Sequence, residues 1–211
     1  YNSNPTVSNC TFSGNTANYG GGMYNGYNSS PTVSNCTFSG NSAGSSGGGM
    51  DNYNSNPTVT NCILWGDSPD EIFNNDSTPT VSFSDVQGGL PANTVDVGGN
   101  IAVDPLFVDA DGPDNTAGTE DDNLRLSGGS PCIDSGSFFD FNSLFDLGAN
   151  VRYVDDPTTI NTGSGVLTFL DMGAYEFQVP TCSALPGDIN CDGIVNLLDL
   201  ALLALHWLET N

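Results

Sequence analysis

An eleven-residue unit, PTVSNCTFSGN, stands at residues 5–15 and recurs unchanged at 31–41. At 57–67 it returns as PTVTNCILWGD, and a fourth version, PTVSFSDVQGG, follows at 79–89 after a shorter interval. Pro5, Pro31 and Pro57 are 26 residues apart, as are Val7, Val33 and Val59, and Cys10, Cys36 and Cys62. A constant period of this length means copies of one supersecondary unit stacked on one another. The units hold few helix formers and many β-branched residues and glycines, so the unit is a coil of short strands rather than a helix pair.

The apolar positions say where each coil bends. Val7 and Phe12 have opposite parity, so they cannot face one side of a single unbroken strand. A break at Asn9 restores the sense, because Asn tolerates the left-handed backbone conformation better than other residues with a side chain. Asn35 and Asn61 then stack over Asn9 at the strand spacing of about 4.8 Å, with amides able to bond along the stack. The GGGM segments at 20–23 and 47–50 open a third face with Met23 and Met50 inward. Cys10, Cys36 and Cys62 stack in the same way, and a buried thiol ladder suits them better than strained disulfides between neighbouring rungs.

These VSNCTFSGN units, with GGGM between them, resemble the right-handed parallel β-helix repeats of pectate-lyase-like and polymorphic outer-membrane proteins. The resemblance covers roughly residues 1–90 and implies an all-β fold: a right-handed parallel β-helix solenoid, ending in a short C-terminal calcium loop–helix segment. Three parts are expected: rungs over 1–100, an acidic β-rich C-terminal segment of the solenoid over 101–180, and a calcium loop and helix over 181–211. Short motifs over about 127–177, LSGGSPCIDSG, DLGANVR and LDMGAYEF, resemble the C-terminal region often attached to secreted β-helix proteins.

The formal net charge is −23, from 25 acidic residues against Arg125 and Arg152. Such a chain repels phosphate backbones and anionic headgroups, which argues against nucleic acid and membrane surfaces as partners. No apolar run reaches the length of a membrane span. The charge is uneven: Asp51 is the first acid, so residues 1–50 are uncharged. The early rungs therefore hold no general acid or base, and Asp67, Asp70 and Glu71 form the first acidic group. A face carrying Tyr1, Tyr19, Tyr24, Tyr27 and Tyr53 among Asn and Ser suits polyols.

Two stretches suggest calcium. In GDINCDGIVNLLD, counting from Asp188, oxygen ligands fall at loop positions 1, 3, 5, 7, 9 and 12: Asp188, Asn190, Asp192, the Ile194 carbonyl, Asn196 and Asp199. Gly193 takes the sharp-turn position. With Asp at the last ligand position and Val195 before Asn196, the loop resembles the repeat of type I dockerins. That resemblance implies a cohesin-like or cell-surface protein partner. The second stretch gathers Asp109, Asp111, Asp114, Glu120, Asp121 and Asp122 on a Gly-rich loop, a second candidate calcium site. The leucine-rich segment 197–208 is apolar nearly all round and must be buried against something. Cys182 and Cys191 are candidates for a disulfide in an exported protein.

The expected function is an exported, non-catalytic scaffold at the cell surface or outside the cell, stabilised by Ca2+, with a docking or anchoring module. Two alternatives stay open: part of a polysaccharide-degrading lyase or hydrolase, and a filament subunit that self-associates end to end. Arg152, alone among acids, is expected to pair with Asp134, Asp146 or Asp171 if buried.

Overall fold

In the computed structural model, residues 2–138 and 144–179 are described, and residues 1–177 form one compact unit. The candidate loop at 188–199, Cys182, Cys191 and the leucine-rich segment lie outside the described residues, as does Tyr1.

The first turn holds β1 (Thr6–Ser8), β2 (Thr11–Ser13), β3 (Thr16–Tyr19) and β4 (Met23–Gly26). The second repeats it with β5 (Thr32–Ser34), β6 (Thr37–Ser39), β7 (Ser42–Ser46) and β8 (Met50–Tyr53). The third keeps β9 (Thr58–Thr60), β10 (Ile63–Trp65) and β11 (Ile72–Asn75). Shortened coils follow, with β12 (Thr80–Ser82), β13 (Asp85–Val86) and β14 (Val95–Gly98). Every pairing between these strands is parallel and joins equivalent repeat positions: Val7 to Val33 to Val59 to Val81, and Phe12 to Phe38 to Leu64 to Val86. One sheet runs β1-β5-β9-β12-β14, the next β2-β6-β10-β13, a third β4-β8-β11, and a short pair β3-β7 bridges between them.

The bend between the first two sheets is made as the parity argument requires. Asn9, Asn35 and Asn61 have φ of 52°, 51° and 53°. Each turns one short strand into the next while keeping both apolar sets inward. The interior is then a stack of like on like. Val33, Val59, Val81, Phe38, Leu64 and Met50 are all buried, and the Phe12 and Phe38 rings stack at 4.5 Å. Each such aliphatic side chain contributes about 1.5–3 kcal/mol by leaving water. Cys10, Cys36 and Cys62 are free thiols in the same stack, and the Cys36 and Cys62 thiols each donate to a carbonyl two residues back at 3.2 Å.

Beyond the coils, β15 (Phe107–Asp109) and β16 (Asn123–Leu126) form an antiparallel hairpin. From there to Phe177 the chain adds no further rung among the described residues. It runs as a strap over the outer face of the second sheet. Ile63, which projects outward from β10, is buried in a second apolar cluster with Leu126, Cys132, Ile133 and Met172. Thr37 on the same outer face accepts the Ala174 N–H at 3.0 Å, and Asn61 exchanges bonds with the Ser137 backbone at 2.8 Å in both directions. The altered third repeat explains the docking: Ile63 and Trp65 stand where earlier turns have Thr and Ser, so the outward face becomes apolar there.

Candidate functional site

The third sheet carries the most distinctive surface of the solenoid. Tyr24 on β4, Asp51 on β8 and Phe73 on β11 share one register column, and the next outward column ends on Tyr53 and Asn75. Tyr19 closes β3, and Tyr27 follows β4 at φ 58°. Tyr19, Tyr24, Tyr27 and Phe73 are 55%, 46%, 46% and 37% exposed, which is far above the core stacks. With Tyr53 they line one groove of about 470 Å³ that crosses three turns. The rings meet in pairs: Tyr19 and Tyr24 tilt at 6.5 Å, and Tyr27 and Tyr53 meet edge to face at 5.4 Å. The Tyr24 ring lies over Gly26, where a Cβ would come within 2.6 Å of it. A larger residue at 26 would push the ring off the groove wall.

Polar groups on the floor are neutral or held toward neutrality. Ser45, Ser46 and Asn75 line it, and Asp51 is buried beneath with the Ser46 hydroxyl donating to it at 2.5 Å. Burial pushes the Asp51 carboxyl up from its ordinary range, against the lowering effect of that hydroxyl. Aromatic faces with amide and hydroxyl neighbours bind a polyol by stacking on its C–H faces and bonding its hydroxyls.

The acidic group at the third turn is a separate feature. Asp67 and Glu71 are both buried, while Asp70 is exposed. Asp67 Oδ1 accepts from the Asn41 backbone at 2.6 Å and from its amide at 2.8 Å, and Glu71 Oε1 accepts the Asp67 N–H at 3.0 Å. The inner oxygens, Asp67 Oδ2 and Glu71 Oε2, have no hydrogen-bond partner. Both oxygens are shut away from solvent, while the two residues border a cleft of about 390 Å³ with Asp70, Gln87 and Pro91.

The loop bearing Asp109, Asp111, Asp114, Glu120, Asp121 and Asp122 is tied by its own side chains. Asp122 accepts from Gly118 N at 2.7 Å and from the Ser13 hydroxyl at 3.0 Å, which fixes the loop to the first turn. Thr119 donates to Asp121 at 2.5 Å, and Asp114 accepts Thr116 N at 2.9 Å. Among the described residues, no three acidic, Cys or His groups converge on a common point where a metal would sit.

The strap's acids are backbone ties. Asp171 accepts the N–H groups of Asp134 and Phe177 at 2.8 and 2.5 Å, Glu176 those of Val154 and Asp171 at 3.2 Å each, and Asp146 those of Asn150 and Glu176 at 2.7 and 3.1 Å. Arg152 is fully buried among them. Its Nη2 donates to the Gly173 and Ala174 carbonyls at 2.9 and 2.8 Å, and its Nε to Asn9 Oδ1 on the first turn at 3.0 Å. Its ion-pair partner is Glu176 at 4.0 Å rather than Asp134, Asp146 or Asp171. Asp146 lies 3.9 Å from Arg125 instead, and Asp134 receives the Asp156 N–H. Asp146 and Asp171 attract Arg152 from farther away, against the burial that lowers its pKa. Sequence reasoning anticipated a buried arginine among acids and missed Glu176, whose role needs the 170–177 turn to fold back beside it.

A protein family described as the right handed beta helix region matches residues 1–89. Together with the parallel, in-register turns, that match supports a right-handed β-helix repeat protein. No curated protein and no solved structure matches the chain. Among the described residues, no helix is long and apolar enough to cross a membrane.

Proposed function

We propose that this chain is a non-catalytic scaffold of an exported or cell-surface protein, whose aromatic solenoid edge holds neutral polysaccharide. The observation that carries the reading is the groove of Tyr19, Tyr24, Tyr27, Tyr53 and Phe73 across three turns. Its charge setting selects the ligand. Five of the nine groove residues come from the uncharged first fifty, and the one carboxyl among the nine is the buried Asp51. The chain as a whole is strongly negative, so uronic-acid polymers are repelled and neutral ones are not. Affinity electrophoresis on neutral glucan, mannan and xylan, beside polygalacturonate, tests it. Retardation by a neutral polymer and not by polygalacturonate is expected, with about tenfold weaker binding in Tyr24→Ala/Tyr27→Ala, or roughly 1.4 kcal/mol. Equal mobility in every gel, or an unaffected double variant, would sink the reading.

The loop from Asp188 to Asp199 is the second element of this proposal, a calcium-holding module that docks the scaffold onto a cohesin-like or surface partner. The support is the ligand spacing in the sequence. Calorimetric calcium titration of the chain and of Asp188→Ala/Asp192→Ala checks it. The variant should lose a site that the parent has, and identical isotherms would remove calcium from the proposal.

A further inference from the structure

Three residues at one repeat position form a second side-chain ladder beside the Asn9 stack. Asn15 sends both its backbone N–H and its amide to Asn41 Oδ1, at 3.0 and 2.9 Å. Asn41 sends the same two groups to Asp67 Oδ1, at 2.6 and 2.8 Å. Asp67 continues with its backbone N–H, which goes to Glu71 Oε1 at 3.0 Å. There the pattern breaks. An asparagine would donate a second time, from Nδ2, but Asp67 presents Oδ2 at that place. In the Asn41 rung the equivalent amide serves two acceptors, Asp67 Oδ1 and the Phe12 carbonyl at 2.8 Å, so the place is built for a donor. Asp67 Oδ2 and Glu71 Oε2 are both buried without a hydrogen-bond partner; among the described residues the one other such oxygen, Asp134 Oδ1, lies apart on the strap.

We propose that Asp67 and Glu71 share one proton that replaces the missing amide, making the third rung a pH-sensitive lock on the loop from Gly66 to Glu71. The shared proton supplies the donor that the ladder lacks and removes one of two adjacent buried charges. Burial raises both carboxyls, Asp67 to about 6 and Glu71 to about 9, and the neighbouring Asp67 raises Glu71 further. The other titratable groups on the surrounding elements are acids, Asp70 in the same loop and Asp51 on β8. Asn41 and Gln87, from the turns on either side, are neutral amides. The chain's two arginines are engaged at Asp146 and Glu176. Nothing among these groups supplies a positive charge in place of the proton.

The sign follows from where the proton is held. Below about pH 4.5, the ordinary value for Glu71, folded and unfolded chains both carry it. Between there and about pH 9 only the folded chain does, so this contribution to stability falls as pH rises. Asp67→Asn restores the ladder amide, and Glu71→Gln supplies the same donor from the other side. Neither needs the proton.

Melting temperatures of the parent and both variants, measured from pH 5 to 9 with and without excess calcium chloride, decide the matter. The other buried acids titrate alike in all three, so the gap between variant and parent isolates the pair. That gap should widen toward high pH in favour of each variant, by about 5 °C or more. A gap that stays constant with pH would overturn the lock. So would a calcium-induced rise in the parent that Asp67→Asn abolishes, because the slot would then belong to a cation. Failure of both variants to fold would count against it as well, since an amide meets every contact assigned to the proton.

Discussion

Arg152 joins two parts of the chain that are 143 residues apart, through its Nε bond to Asn9. Burying a guanidinium is costly unless its donors are used. Here Nη2 and Nε meet two carbonyls and an amide oxygen, while Nη1 makes no hydrogen bond and faces the Glu176 carboxyl at 4.0 Å. Arg152→Ala leaves Glu176 and Asp171 without a neighbouring cation, while Asp146 keeps only the half-exposed Arg125. The expected cost is about 3–5 kcal/mol. For a chain of this size that is a fall in melting temperature on the order of 10 °C. Arg152→Lys should recover little, because a single ammonium cannot serve the forked contacts. An alanine variant that melts with the parent would refute the structural role.

At the scale of elements, the two halves of the unit were not equally legible. The turns could be read because each rung repeats the same answer, and Asn9, Asn35 and Asn61 bend where parity said they must. The short β3–β7 pair was not read, since Ala17 and Ala43 carry no strong strand signal. The strap was hidden because its structure is irregular and held by long-range ties. One clue lay open, the change from Thr and Ser to Ile63 and Trp65 on an outward face. The aromatic groove was partly legible as a tyrosine-rich face. Phe73 was missed because its place depends on the register of β11 against β8. The strap also carries its own pH dependence. Burial raises Asp134 to about 6 and Asp171 to about 7, the latter against the pull of Arg152. Raised carboxyls hold protons that the unfolded chain releases, so their contribution is lost as pH climbs through those values. Limited proteolysis should therefore cut residues 130–177 sooner at pH 8 than at pH 5. Equal rates at the two pH values would contradict the ordering.

On the scale of the whole molecule, the aromatic groove and the strap lie on different sheets of the coil. The open third sheet keeps its rings in water, while the second sheet is covered by the strap. The negative charge is uneven along the chain: residues 1–50 carry none, Asp51 is the carboxyl within the groove, and the acidic loop 109–122 is tied to the first turn through Ser13.

The strap has a consequence for how such a coil comes apart. An open array whose turns touch only their neighbours can fray from either end, one turn at a time. Here Asn9 is held by Arg152, Thr37 by Ala174, Asn61 by Ser137 and Asp85 by Cys132, so one segment grips four successive turns. Peeling any single turn requires the strap to let go of the others. A structure that is periodic in its sequence thereby comes apart as a single cooperative block, and its end turns inherit the endurance of its middle ones.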